Sequence, residues 1–361
     1  MARLELEAAA RLRRLSSTRN LVRLRSLKLE LPSFDHPDMS GDSSAGDELD
    51  DGGQPADREL DAGTLRLEDD GWRPPLLPPG RAVELEGRGT TWVTEAAGPP
   101  DAPTLLLLHG WTATGALNWF NAIPTLAQSY RVVALDHRGH GRGIRNPRRF
   151  RLEDCADDAV ALADHLGIDR FVAVGYSMGG PIAQLIWRRH HDRVAGLVLA
   201  ATSRNFRGTP IEMAGFSAMG GLSLAARVTP TQWQRQLGSR YVQRKYDDSE
   251  IGAWARREIS RNNPRSLIEA GRAIGTFSSH RWIGDVDVPT SVVVTERDTV
   301  VPPERQRRLA AAIANTEIVT VQGNHAVCVL DPDRFVPALS AAVDRVVERG
   351  HGSDAASERA S

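Results

Sequence analysis

The stretch Phe171 to Gly180, FVAVGYSMGG, runs from four apolar residues into a serine set between glycines. Neither packing nor strand propensity asks for a serine at the mouth of a buried strand, so its placement needs another reason. Gly175, Ser177 and Gly179 have the spacing G-x-S-x-G, and the pattern that follows, GGPIAQLIWRRHHDR, is helical. A sharp strand-to-helix turn strains the serine backbone and is tolerable only where glycines leave room beside it. The hydroxyl then stands at the carboxyl edge of the sheet, where open α/β sheets place their ligands. With 32 glycines in the chain, a tight turn alone also produces this pattern. The position between strand and helix favours the catalytic reading.

Outward from this turn, Thr104–Leu108, Arg131–Leu135, Phe171–Val174, Leu197–Ala200 and Ser291–Val294 are short apolar runs. Such runs are the form of parallel strands buried on both faces. Helical patterns such as LEDCADDAVALADHLGI lie between them. Strand alternating with helix implies an α/β class, a mostly parallel central sheet with helices on both faces. Ahead of these, RAVELEG and TTWVTEA alternate apolar and polar residues and predict an antiparallel hairpin turning near Arg88-Gly89. The core is expected over 76–204 and 285–349. Residues 205–284 carry no clear strand but place Trp233, Tyr241, Tyr246, Trp254, Phe277 and Trp282 among helix-like segments. They read as a helical cap over one end of the sheet, and 350–361 as a flexible tail.

The 41 % hydrophobic and 25 % charged content are those of an ordinary globular protein. Lys plus Arg (45) nearly balances Asp plus Glu (46), so no net field favours nucleic acid or membrane. Two cysteines make no disulfide framework and suit a reducing compartment. No run approaches the roughly 18 apolar residues of a membrane span, and MARLELEAAARLRRL lacks the apolar region of a secretory signal. The cytoplasm is the expected location. No metal-ligand spacing is present: His190-His191 is adjacent rather than helically spaced and reads as a solvated helix end.

Residues 1–75 read as an extension, basic and then acidic, and largely disordered. Met1 to Lys28 has a net charge of +6 and Asp35 to Asp70 one of −11, the latter with few large apolar groups to offset chain entropy. Within residues 1–31, leucines interleaved with arginines suit a short amphipathic helix on anionic lipid or a partner. A solvated tail, or residues added by an upstream start codon, fits the same pattern.

A serine hydroxyl is a poor nucleophile until a base takes its proton. His325, in VQGNHAVCVLDP, follows the strand-like TEIVTV; His109, His137 and His140 are the other loop candidates. The order nucleophile, acid, histidine favours His325. The acid is then Asp298 in SVVVTERDTVVPP, with Glu296 as competitor, although an aspartate there also suits a simple turn. In TLLLLHGWTATGALNW a turn at His109-Gly110 aims the backbone N–H of Trp111 at the site beside that of Met178. Two such donors stabilise a developing oxyanion. Trp111, Trp119 and Phe120 suit a packed core equally well.

Taken in order, LLLLHGW, DHRGHGRG, GYSMGG and the pair ERDTVVP/GNH resemble the serine-nucleophile, esterase-like branch of the α/β-hydrolase superfamily over roughly Gly80 to Arg349. The resemblance implies the α/β-hydrolase fold, with Ser177 as nucleophile, Asp298 as acid, His325 as base, and Trp111 and Met178 as oxyanion donors. It implies neither cofactor nor metal. Asp136, Arg138, Gly139 and Gly141 match a structural loop, while Gly143 departs from the serine many members carry. A serine nucleophile also argues against the branches that open epoxides or displace halide, which use aspartate. The implied reaction is cleavage of a small-molecule carboxylic ester or related acyl bond. Met213, Phe216, Met219 and Leu222 suggest an apolar substrate, and equally suit packing of the cap. A cofactor-free perhydrolase of the non-haem haloperoxidase kind uses the same three residues. A non-catalytic binding or receptor protein on this scaffold is the third reading.

Overall fold

The computed structural model describes residues 72–207 and 249–358, with side chains through 350. Most of the expected N-terminal extension lies outside the described residues, as do Met213, Phe216, Met219, Leu222, Trp233, Tyr241 and Tyr246 of the expected cap.

The central sheet is built of eight strands: β1 (Gly80–Leu85), β2 (Gly89–Ala96), β3 (Thr104–Leu108), β4 (Arg131–Leu135), β5 (Phe171–Tyr176), β6 (Val194–Ala200), β7 (Thr290–Thr295) and β8 (Thr316–Val321). They are ordered β1-β2-β4-β3-β5-β6-β7-β8. β1 and β2 form the expected antiparallel hairpin, closed by Arg88 N–H donating to Leu85 O. β2 meets β4 antiparallel, and every later pairing is parallel. β5 outlasts its apolar run by two residues because Gly175 and Tyr176 stay paired with Leu199 and Ala200. The strand therefore ends directly before Ser177.

Side-chain alternation divides the interior into two cores, one on each sheet face. Leu106, Leu108, Phe171 and Ala173 point into one core, with Cys155, Ala159 and Leu162 of α3 (Leu152–His165) and Ile182 and Ile186 of α4 (Gly179–Arg189). Leu105, Leu107, Val172, Val174 and Tyr176 point into the other. There they meet α1 (Gly115–Trp119), α2 (Ile123–Leu126) and, through Phe335, Leu339 and Val343, the last helix (Pro332–Glu358). Trp119 and Phe120 belong to this second core. The last helix continues to Glu358, past Gly350 where the sequence suggests a tail.

Between β6 and β7 the described residues form α5 (Glu250–Ser260) and α6 (Pro264–Thr276). Ser249 caps α5 by accepting from Gly252 N–H, and Asn263 caps α6 by accepting from Ser266 N–H, with Pro264 at the first helical position. Glu258, 3 % exposed, ties α5 down. It meets Arg142 at 3.2 Å and Arg261 at 3.3 Å, and accepts from Thr114 Oγ1 at 3.0 Å.

The loop after β4 is held by Asp136, whose carboxylate accepts from Gly115 N–H at 2.7 Å and Arg142 N–H at 2.8 Å. Gly143 is required there: a Cβ would lie 2.3 Å from His137 O and 2.5 Å from Asp136 O. The missing serine side chain has no space in this loop. α7 (Pro303–Ala310) follows β7, and α8 (Val327–Leu330) precedes the last helix, α9. No described helix is long and apolar enough to cross a membrane.

Candidate active site

Ser177 occupies the two-residue turn between β5 and α4 with φ of +51°. That region is costly for a residue with a Cβ and persists only where the surroundings over-determine it. Here Ser177 N–H donates to Ala200 O at 2.9 Å, while its carbonyl accepts from Gly180 N–H at 3.0 Å and Thr202 Oγ1 at 2.7 Å. The flanking glycines allow the approach. A Cβ on Gly175 would lie 2.3 Å from Gly179 O, and one on Gly179 only 2.0 Å from Leu108 O. Sequence and local geometry agree on why the serine stands between glycines.

The structure brings Ser177, His325 and Asp298 together from the ends of three strands. Ser177 Oγ lies 2.9 Å from His325 Nε2, and His325 Nδ1 lies 2.7 Å from Asp298 Oδ2. Since a carboxylate only accepts, Nδ1 carries a proton, and a neutral ring then presents Nε2 as the acceptor for the Ser177 hydroxyl. Asp298 is 3 % exposed, and both oxygens are engaged. Oδ1 accepts from Val300 N–H at 2.8 Å and Val301 N–H at 2.9 Å, and Oδ2 also accepts from Thr295 Oγ1 at 2.8 Å. Glu296 points elsewhere, its carboxylate meeting Arg307 at 2.5 Å.

Several residues that hold this arrangement carry no local sequence signal. Gln306, fully buried on α7, donates to Thr295 Oγ1 and Val301 O, each at 2.7 Å, and accepts from Thr295 N–H at 3.0 Å. The Thr295 hydroxyl, accepting from Gln306, is left to turn its own proton toward Asp298. Tyr176 donates through its phenol to His325 O at 2.8 Å and packs edgewise on Trp119 and Phe335. Burial raises the Tyr176 phenol well above its ordinary pKa, so it remains a donor. Asn118 Oδ1 accepts from Gly110 N–H at 2.9 Å and anchors the loop after β3. That loop passes close to the serine: a Cβ on Gly110 would stand 3.3 Å from Ser177 Cβ.

The backbone N–H groups of Trp111, which follows Gly110, and of Met178, which follows Ser177, make no hydrogen bond among the described residues. Met178 is the residue preceding α4, so its amide belongs to a helix N-terminus. The Trp111 indole packs against the first core and donates to Leu267 O of α6 at 2.9 Å.

His109, His137 and His140 gather in a cluster of their own. The His109 ring centroid lies 4.3 Å from that of His137, the planes tilted by 39°, and 5.3 Å from that of His140, edge to face. His109 donates from Nδ1 to Gly110 O at 2.8 Å and accepts at Nε2 from His137 N–H at 2.9 Å, which fixes a neutral ring. Burial holds His109 well below its ordinary pKa and pushes His137 to about 3 and His140 to about 4. His190 and His191, at the end of α4, meet Asp157 and Asp287. Both cysteines are free and buried, and burial pushes the Cys328 thiol up to about 12.

Residues 103–332 match the family described as alpha/beta hydrolase fold. Epoxide hydrolase B of Mycobacterium tuberculosis is 38 % identical over 119 residues, which is 32 % of this chain and 33 % of that one. Proline iminopeptidase of Neisseria gonorrhoeae is 27 % identical over 301 residues, 71 % of this chain and 92 % of that one. A thermophilic esterase from Thermogutta terrifontis superposes with a TM-score of 0.60 at 23 % identity, covering 74 % of this chain and 99 % of that one. The serine turn, the eight-stranded sheet and this match over most of the described core agree that the chain belongs to the alpha/beta hydrolase fold family.

Proposed function

We propose that the protein is a serine hydrolase that cleaves a carboxylic ester or related acyl bond through an acyl-enzyme. The observation that carries this reading is the relay from Ser177 Oγ to His325 Nε2 at 2.9 Å and from His325 Nδ1 to Asp298 Oδ2 at 2.7 Å. In the proposed reaction Ser177 Oγ attacks the carbonyl carbon while His325 Nε2 takes the hydroxyl proton. Asp298 holds the imidazole in the tautomer that accepts this proton and stabilises the imidazolium. The carbonyl oxygen, now negative, takes hydrogen bonds from the Trp111 and Met178 amides, at roughly 3 to 4 kcal/mol of barrier per donor lost. Collapse expels the alcohol, which leaves with the proton from His325. Water, deprotonated by His325, then releases the acid and restores Ser177.

Residues 205–284 serve as the cap in this proposal, α5 and α6 being its described part. A cytoplasmic setting completes it, supported by two buried free thiols. Ser177→Ala should abolish turnover of a p-nitrophenyl ester and labelling by a fluorophosphonate, with an unchanged circular dichroism spectrum. Ester hydrolysis at the wild-type rate in that variant would remove the mechanism.

A further inference from the structure

The turn Gly110 to Ala113 presents the Trp111 amide, and it is strained. Thr112 has φ of +67°, a β-branched residue in a region that usually takes glycine. The bond that closes the turn is long, Ala113 N–H to Gly110 O at 3.3 Å. Its own chemistry does not explain why it stays in this shape.

The restraint comes from the link between α5 and α6. Asn262, 7 % exposed, donates from Nδ2 to Thr112 O at 2.8 Å and accepts at Oδ1 from Gly141 N–H at 2.7 Å. A carbonyl faces one end of the amide and an N–H the other, so the side chain has a single satisfied orientation. Two further bonds flank it: Trp111 Nε1–H to Leu267 O at 2.9 Å, and Asn263 N–H to Gly139 O at 2.8 Å. The segment beyond β6 therefore grips the strained turn at Trp111 and Thr112, and takes its footing on the loop after β4. Rotation of Thr112 to negative φ would turn over the Trp111–Thr112 peptide, which directly follows the Trp111 amide.

We propose that Asn262 is a positioning residue for the oxyanion donor of Trp111, coupling the seating of α5 and α6 to the rate of acyl transfer. The inference rests on the serine-hydrolase reading above. It assigns Asn262 no contact with substrate. Its effect is on the transition state, in which the oxyanion forms, and not on ground-state binding.

The test uses the full-length protein, with p-nitrophenyl butyrate as substrate. Asn262→Asp replaces one atom group and removes the donor to Thr112 O. It should lower kcat by about tenfold or more while KM moves by less than about twofold. An aryl trifluoromethyl ketone, which adds to the serine and places a negative oxygen at the same position, should lose affinity in parallel with kcat. The alcohol of the same skeleton, which cannot form the adduct, should bind as before. Thr112→Gly in the Asn262→Asp background should recover most of the lost kcat, because glycine holds positive φ without an external restraint.

Unchanged kcat in Asn262→Asp, equal weakening of ketone and alcohol, or no recovery on adding Thr112→Gly would each overturn the positioning role. A wild-type protein inert towards both ester and fluorophosphonate would overturn the serine-hydrolase reading itself, an outcome distinct from an active wild type with an unaffected variant.

Discussion

At Gly143 the absence of one methyl group decides whether the loop after β4 can close. Two backbone carbonyls lie within 2.5 Å of where a Cβ would stand, and backbone cannot yield as a flexible side chain does. Gly143→Ser should therefore cost about 1 to 3 kcal/mol of stability, by analogy with overpacked cores. A lowered urea midpoint at constant slope is the expected reading. The same scale shows which site residues were legible. Ser177 and His325 stand in short motifs at strand ends, where local pattern and chain order suffice. Between Glu296 and Asp298 sequence left a choice, which side-chain direction resolved: Glu296 meets Arg307, and Asp298 turns inward to His325. Gln306 had no such signal. In PERQRRLA it looks like any polar surface residue, and only the packing of α7 on β7 shows that it is buried under the carboxylate.

At the scale of elements, strand bounds are legible nearly to the residue where apolar runs and ladders coincide, as at Thr104–Leu108 and Arg131–Leu135. The apolar run falls short of the strand where pairing outlasts it, as at Tyr176. α5 shows a different limit. Glu258 lies in EIGAWARREIS, where a glutamate among arginines suggests a solvated face, yet it is buried against Arg142, Arg261 and Thr114. Arg142 is also buried, its guanidinium 4.5 Å from the Trp92 ring centroid. Glu258→Gln preserves shape but leaves that cation without its anion, at a cost of about 3 kcal/mol. Thermal unfolding should show a clear drop in Tm, and a shift within error would mean that solvent already screens the pair.

At the scale of the whole molecule, acid stability depends on the histidine cluster. His109, His137 and His140 stay neutral in the folded chain, while their unfolded counterparts take up protons near 6.5. Their contribution is complete above that pH and is lost as pH falls toward about 4 and about 3. Asp136 acts in the opposite sense. Burial, reinforced by Glu258 and opposed by the Gly115 and Arg142 amides, raises its carboxyl to about 7, so its contribution is complete below 3.8 and is lost as pH rises through 7. Near pH 5 three groups oppose one, and unfolding of this cluster should take up about two protons. Both ring nitrogens of His137 are buried without a hydrogen bond, so His137→Phe should remove one of these protons without breaking a side-chain bond. The difference between its urea midpoints at pH 5 and pH 7.5 should be smaller than in wild type; an equal difference would exclude His137 as a source of the acid sensitivity. Sequence alone determined the sheet, its helical layers and the serine turn, because apolar periodicity and glycine spacing are local properties written along the chain. Only the tertiary structure decided which acid faces His325, why three loop histidines stay uncharged, and what restrains Thr112. Those outcomes depend on burial and on hydrogen bonds between residues far apart in the chain, which no local pattern encodes.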